Sequence, residues 1–566
     1  MLQKYYNIAP VIDELAGDGL MIIKEYESQT GLPKQTQSLC PECGKIIDAL
    51  IVDRDGKVMM EKECAEHGNF EDIYFSDTAL YDRMEAYAHD GVGVDNPLYP
   101  DAKECPTDCG LCQMHKSHTV LANVDLTNRC NLKCPVCFAN ANASGFIVEP
   151  TFDEVLEMLA VLRRSRPVPT PSVQFAGGEP TVYPYFLEAV RAAKEMGFAQ
   201  IQVATNGVLM AQQEGFTQAM VDAGVHTVYL QFDGFDDEMY KEVRGRPMVD
   251  IKMRAIESVR KAQPNMSICL VPTLINTVND DIVGDIINFA VENVDVIHAV
   301  NFQPVAFTGR IDKTELAQKR FTLADLVDRS VTQTDFLKEE HFFPVPSVSV
   351  FSELASVFQN DPKVAFTSHP HCGLATFMFV DSDGTPLPIN EFVDVPRLLA
   401  DVEKAAENIE NAKIKSAAKV KLLKFKLQEG KYINKKKSPD GIGMAELLAA
   451  FYEEADKKAL ADFAWNSLMI GGMHFQDRYN YDIERVKRCV IHYAVPDGRI
   501  IPFCAYNSGP VFRDEVEKRY AMSNEEFKRF REREEALMEE RRRTGRLISP
   551  EVMTTIPEVM DKYVKG

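Results

Sequence analysis

Apolar and polar positions change their period along this chain, and each change marks an element. Between about residues 119 and 305, strand-length apolar runs alternate with helix-length segments. The runs lie near 120–127, 173–176, 199–204, 226–232, 267–274 and 297–303. Six such βα units predict an α/β fold whose parallel strands, joined by right-handed crossovers, curl into a partial (βα)6, TIM-like barrel. In such folds the functional groups sit on the loops after the C-terminal strand ends. Ahead of this region, 38–76 alternates on either side of a turn at 53–56, the pattern of a small ribbon. Behind it, 396–440 is charged and helical, and 515–543 is a helix of alternating charge, read as a solvated face or a packing arm. The chain therefore divides into a helical lead-in (1–36), a metal ribbon (37–77), a cysteine-bearing segment (78–118), the barrel (119–310), a C-terminal domain (311–510) with a helical insertion (396–470), and a charged helical tail (511–566).

Composition narrows the partners more than the fold. The 566 residues are 45% hydrophobic and 26% charged, which supports a sizeable core and two to four domains. A net charge of −22 argues against nucleic acid, whose binding depends on Lys and Arg neutralising phosphates. The first residues carry acids where a secretion signal needs a basic and then an apolar stretch, and no apolar run approaches the roughly 18 residues of a membrane span. The reading is a cytoplasmic protein without a transmembrane span, with contact at a membrane surface left open.

The thirteen cysteines carry the chemistry. Nine fall in three groups, Cys40/Cys43/Cys64, Cys105/Cys109/Cys112 and Cys130/Cys134/Cys137, while Cys269, Cys372, Cys489 and Cys504 stand apart. An odd count grouped this tightly reads as metal chemistry in place of disulfides. In the ribbon, Cys40-x-x-Cys43 and Cys64-x-x-His67 face each other as two knuckles and offer four ligands to one ion, iron of the rubredoxin type or zinc. Cys105, Cys109 and Cys112 form a loop one ligand short of four, with His115 and His118 downstream. Cys269 lies inside an apolar strand and reads as an inert thiol. Cys372, Cys489 and Cys504 have polar or Gly/Pro-rich flanks and read as ligands.

Cys130-Asn-Leu-Lys-Cys134-Pro-Val-Cys137 follows the first barrel strand. Three thiolates on one loop can hold three irons of a 4Fe–4S cube and leave the fourth open to a small molecule. The spacing resembles that of radical S-adenosylmethionine enzymes. Gly177-Gly178-Glu179-Pro180 after the second strand resembles that superfamily's GGEP motif, whose glycines admit the ligand and whose acid meets its amino group. Thr205 and Asn206 after the third strand, Asp233 after the fourth, and Arg244 beyond it complete the expected cofactor contacts.

The order of all these motifs, through CPECGK, CAEHG, CPTDCGLC, CNLKCPVC, HPHCG and GGMHFQDRYNYDIERVKRCVIHY, resembles the archaeal tetraether lipid synthase family, which overlaps with proteins described as 7,8-dihydropterin methyltransferases. The match runs from about 36 to 510; the charged segment 396–470 carries no motif of the pattern. The resemblance implies S-adenosylmethionine as cofactor, one radical-generating and two auxiliary 4Fe–4S clusters, and a mononuclear rubredoxin-like metal. It further implies a reduced donor such as ferredoxin, and the joining of terminal isoprenoid carbons of diether lipids met at the membrane surface. An auxiliary-cluster sulfide is then the expected holder of the first carbon radical, with His474 near that cluster or simply structural. Two alternatives stay open. One is a radical methyltransferase acting on 7,8-dihydropterin; the other is an iron–sulfur electron-transfer protein, which leaves the GGEP and Thr205-Asn206 strand ends unexplained.

Overall fold

A computed structural model describes residues 30–557, apart from 143, 263–265, 310, 312, 313, 315, 411–430, 435, 440–466, 510 and 511. The lead-in up to residue 29 and much of the 396–470 insertion lie outside the described residues.

The ribbon is an antiparallel sheet in chain order: β1 (Lys34–Leu39), β2 (Ile46–Arg54), β3 (Lys57–Cys64) and β4 (Gly68–Phe75). Asp55 and Gly56, both at positive φ, make the two-residue turn between β2 and β3. That is the turn whose twist suits a tight hairpin, and Asp-Gly is its favoured sequence. On the buried face of β3, Val58, Met60 and Cys64 share the row with Lys62. Its ammonium donates to Ser38 Oγ (2.9 Å), Leu39 O (3.0 Å) and Arg478 O (2.6 Å), so the ribbon is pinned to a segment more than 400 residues away. Thr36 Oγ1 and Tyr74 OH both donate to the Asp482 carboxylate, at 2.7 and 2.8 Å. Arg320, fully buried, bridges Asp72 of β4 and Asp477.

The six expected strands are present as β5 (Leu121–Asp125), β6 (Ser172–Ala176), β7 (Gln200–Thr205), β8 (Thr227–Gln231), β9 (Ser267–Val271), with β10 (Thr273–Leu274) prolonging it, and β11 (Ile297–Pro304). They pair in parallel in that order. Later segments extend both edges of the same sheet: β12 (Phe343–Pro344), β13 (Gly373–Val380), β14 (Pro386–Pro388) and β15 (Leu468–Met473) beyond β11, and β16 (Ile491–Ala494) and β17 (Ile500–Pro502) beyond β5.

Strand alternation splits this sheet into two unlike faces. Val124, Val173, Phe175, Val203, Leu230, Leu270 and Phe302 are wholly buried against the helices. The opposite face carries Asn123, Asp125, Gln174, Gln202, Tyr229, Asn301 and Gln303. Its polar groups satisfy each other in part: Gln174 Nε2 donates to Asn123 Oδ1 (2.8 Å), and Asn301 and Gln303 both donate to Tyr229 OH. Parallel sheets usually bury two apolar faces, so the polar one sets this sheet apart.

The helix Phe152–Arg164 begins with a capping box of Thr151 and Glu154. The tail helix Asn524–Thr544 is a packing arm: buried Glu534 accepts the Phe152 amide at 3.0 Å, while Arg541 lies over Phe152 and Arg531 over Tyr185. Among the described residues no helix is long and apolar enough to cross a membrane.

Candidate active site and metal centres

The loops leaving β5 to β9 meet at one end of the sheet. Asn142 holds the first of them closed, accepting from Cys130 N (3.2 Å) and donating to the carbonyls of Cys130 and Leu132, each at 2.9 Å. The amides of Leu132 and Ala141 point at the sulfurs of Cys130 and Cys137, both at 3.4 Å. Amide donors aimed at sulfur stabilise a metal-bound thiolate, and none of the three cysteines is in a disulfide. Burial pushes the Cys130 thiol up to about 12 and raises Cys134, and a bound metal would take the proton's place on each. The donor set fits a 4Fe–4S group.

Gly177 and Gly178 stand where this loop leaves β5. A Cβ on either would meet backbone oxygen at 2.4 Å, Thr127 O and Arg129 O respectively, so only glycine fits. Glu179 is buried and fully engaged by the protein: Thr181 Oγ1 (2.6 Å) and Thr205 Oγ1 (2.7 Å) donate to one oxygen, Asn206 N (2.9 Å) to the other. It ties the end of β6 to the end of β7. Pro180 opens the short turn that follows. Asn206 reaches the cluster loop, donating to Asn131 Oδ1 at 2.7 Å.

Asp233 and Arg244 form a buried two-pronged pair, with both contacts at 2.7 Å. Arg244 also donates to Val136 O (3.2 Å), between Cys134 and Cys137, and to Thr273 Oγ1 (3.1 Å). Its donors are thus directed at Asp233, the cluster loop and β10.

Sequence reasoning passed over Lys252. Its ammonium is wholly buried and donates to Asn206 O (2.7 Å) and Gln231 Oε1 (2.8 Å), joining the ends of β7 and β8. The signal was available: Lys252 falls on the apolar stripe of its helix with Met248, Ala255, Ile256 and Val259. Burial, opposed by Asp233, pulls its pKa from 10.5 to about 7. Between those values the unfolded chain holds a proton that the folded one has released, so stability rises with pH across that window. Below the onset of thiol ionisation, between about pH 7 and 8.5, the urea midpoint of the metal-free protein should rise more steeply with pH in wild type than in Lys252→Met; equal slopes would discard the assignment.

Beside Gly177 and Gly178 opens a small cavity lined also by Asp125, Tyr493, Tyr506 and Arg513. Asp125 lies under Arg513 (3.4 Å), its Oδ1 has no hydrogen-bond partner among the described residues, and burial raises its pKa. Arg513 stacks over Tyr506, 4.7 Å from the ring centre.

In the ribbon, the ligand atoms of Cys40, Cys43, Cys64 and His67 all lie within 4.8 Å of one another, a set suited to one tetrahedral ion. His67 Nδ1 is 3.6 Å from Cys40 Sγ and 3.5 Å from Cys64 Sγ. Cys372, Cys489 and Cys504 are brought within electrostatic reach of one another, and Arg485 Nε donates to Cys372 Sγ at 3.3 Å. Cys105 and Cys109 pack in one buried cluster with Cys504, and Cys112 is electrostatically coupled to both. Cys269 lies apart from these groups on β9. His115 points to Cys489 O (2.8 Å) and His492 (3.1 Å). His474 is buried, and neither ring nitrogen has a hydrogen-bond partner among the described residues.

The Radical SAM superfamily matches residues 124–290, and the HMPTM N-terminal zinc ribbon domain matches 32–76. The 7,8-dihydro-6-hydroxymethylpterin dimethyltransferase of Methanocaldococcus jannaschii is 44% identical over 502 residues, 88% of this chain and 97% of its own. The GTP 3′,8-cyclase of Chlorobaculum tepidum is 26% identical over 39% of this chain and 66% of its own. Among solved structures, SuiB of Streptococcus suis bound to precursor peptide SuiA is similar over 39% of this chain and 46% of that one, with 18% identity and a TM-score of 0.32.

The near full-length likeness to a pterin dimethyltransferase overturns the expectation that the chain couples diether lipids into tetraethers at a membrane surface. The physical reason lies in the sheet. Isoprenoid chains need an apolar channel, and the face of β5 to β11 opposite the apolar one carries Asn123, Gln174, Tyr229, Asn301 and Gln303 instead.

Proposed function

Since the chain belongs to the family of the 7,8-dihydro-6-hydroxymethylpterin dimethyltransferase, we propose that it is a radical S-adenosylmethionine enzyme that methylates a reduced pterin. The 44% identity over nearly the whole of both chains carries this reading. We take the six parallel strands as the partial barrel of the superfamily and the later cysteine-bearing segments as its auxiliary-cluster part.

Cys130, Cys134 and Cys137 would hold the 4Fe–4S group, with Gly177 to Pro180, Thr205 and Asn206 as the walls of the cofactor site. When bound, cluster and S-adenosylmethionine together supply a one-electron source of a strong hydrogen-atom abstractor, reduced by a donor of ferredoxin type. The protein's part is binding and orientation. A pterin is flat and presents N–H donors along its aminopyrimidinone edge. Asp125, whose Oδ1 has no hydrogen-bond partner among the described residues, suits that edge. The polar face of the strands supports the same substrate class.

The test is anaerobic reconstitution with iron and sulfide, then reductant, S-adenosylmethionine and 7,8-dihydro-6-hydroxymethylpterin, read by mass spectrometry. The expected products are 5′-deoxyadenosine and a pterin heavier by one or two methylene units, with isotope labelling identifying the carbon source. Cys134→Ala should yield neither. Deoxyadenosine with an unaltered pterin would remove the substrate assignment. Its absence from iron-loaded protein would remove the radical chemistry as well.

A further inference from the structure

Tyr481 is wholly buried, and its hydroxyl has no hydrogen-bond partner among the described residues. A buried hydroxyl left unpaired is costly, and a phenylalanine would avoid that cost. Its place is fixed on both sides. Asn480 Oδ1 accepts from Asp477 N (2.9 Å), and Asp482 caps the helix Ile483–Lys487 while receiving Thr36 and Tyr74 from the ribbon. The ring packs in one buried cluster with Cys105, Cys109 and Cys504, and Cys489 is also within its electrostatic reach. These four cysteines come from two sets that lie hundreds of residues apart in sequence, 105–112 and 372–504. The phenol is therefore a polar group held in the same buried cluster as cysteines of both sets.

We propose that Tyr481 donates its hydroxyl proton in a hydrogen bond to a sulfur of the iron–sulfur groups held by Cys105/Cys109/Cys112 and Cys372/Cys489/Cys504, raising the reduction potential of the group it reaches. The inference rests on those two triads holding such groups and is independent of the substrate. A thiol sulfur is a weak acceptor, but a metal-bound thiolate or sulfide is a strong one. Donors to cluster sulfur favour the reduced, more negative state. Tyr481 is in this sense a positioning residue that tunes the groups on either side of it. The dimethyltransferase relationship assigns it no such role.

The experiment compares wild type with Tyr481→Phe, both reconstituted anaerobically, by iron and sulfide content and by a potentiometric titration followed by electron paramagnetic resonance. The variant should keep its iron and sulfide, and the signal of the Cys130/Cys134/Cys137 group should not move. One auxiliary signal should shift negative by about a tenfold change in the reduction equilibrium, some 59 mV for one electron. Unmoved midpoints in a fully loaded variant would overturn the role of Tyr481 alone. Loss of iron from a folded variant would make the oxygen a ligand and overturn the donor. Wild type loaded with iron for a single cluster would overturn the premise of two auxiliary groups, and the inference with it.

Discussion

Arg244→Leu is expected to unfold in urea about 3–5 kcal/mol sooner than wild type and to load markedly less iron. The arginine neutralises Asp233, which is 1% exposed, through two contacts of 2.7 Å, and its third donor grips Val136 O within the cluster loop. Truncation strands a carboxylate in the interior and unties the loop that presents Cys134 and Cys137. Asp233→Asn in the same background should recover much of the stability, since losing both charges costs less than losing one. It should recover little iron, because Val136 stays untethered. A single variant with wild-type iron content and an unchanged midpoint would refute this account of the pair.

Arg320→Met is expected to cost about 4 kcal/mol or more, and to do so at the junction between ribbon and body. Arg320 is fully buried between Asp72 and Asp477. Burial pushes both carboxyls up. At Asp72 it wins, whereas at Asp477 the guanidinium and the amides of Phe307 and Tyr479 outweigh it and hold the pKa below the ordinary value. The disparity is physical: Asp477 accepts two guanidinium contacts and two amides, whereas Asp72 accepts one guanidinium contact. Without Arg320 the two acids face each other in a dry interior, and the loss should be larger at neutral pH than in mild acid, where one can protonate. Protease should then cut the exposed side of the ribbon faster. Equal urea midpoints with equal proteolysis rates would show that the triad contributes nothing.

The six central strands could be read because a β pattern between helix-length segments is local information. Cys130, Glu179, Thr205 and Asp233 could be placed at strand ends for the same reason. What their side chains grip could not be read. Glu179 and Arg244 are occupied by Asn206 and Val136, contacts set by the spacing of neighbouring strand ends. β13, β15 and β16 escaped notice because they join the sheet from segments far along the chain. The substrate was misjudged on a resemblance of cysteine motifs, although Asn123, Gln174, Tyr229, Asn301 and Gln303 were in view. Their alternation shows that they share a face only once the strands are known to be parallel neighbours.

The docking of the ribbon also dictates an order of events. Its contacts to Arg478 and Asp482 span 416 and 446 residues, so closing them carries the loop-entropy cost of nearly the whole polypeptide. A ribosome delivers the ribbon first, with its own four ligands complete, and it can take up its ion before the radical site exists. Lys62, Thr36 and Tyr74 then wait, solvated, until the last third of the chain arrives. Dehydrating Lys62, whose pKa falls to about 8 on burial, becomes favourable only against that late surface. The ribbon is made early and seated late, once the segment around Arg478 and Asp482 is in place.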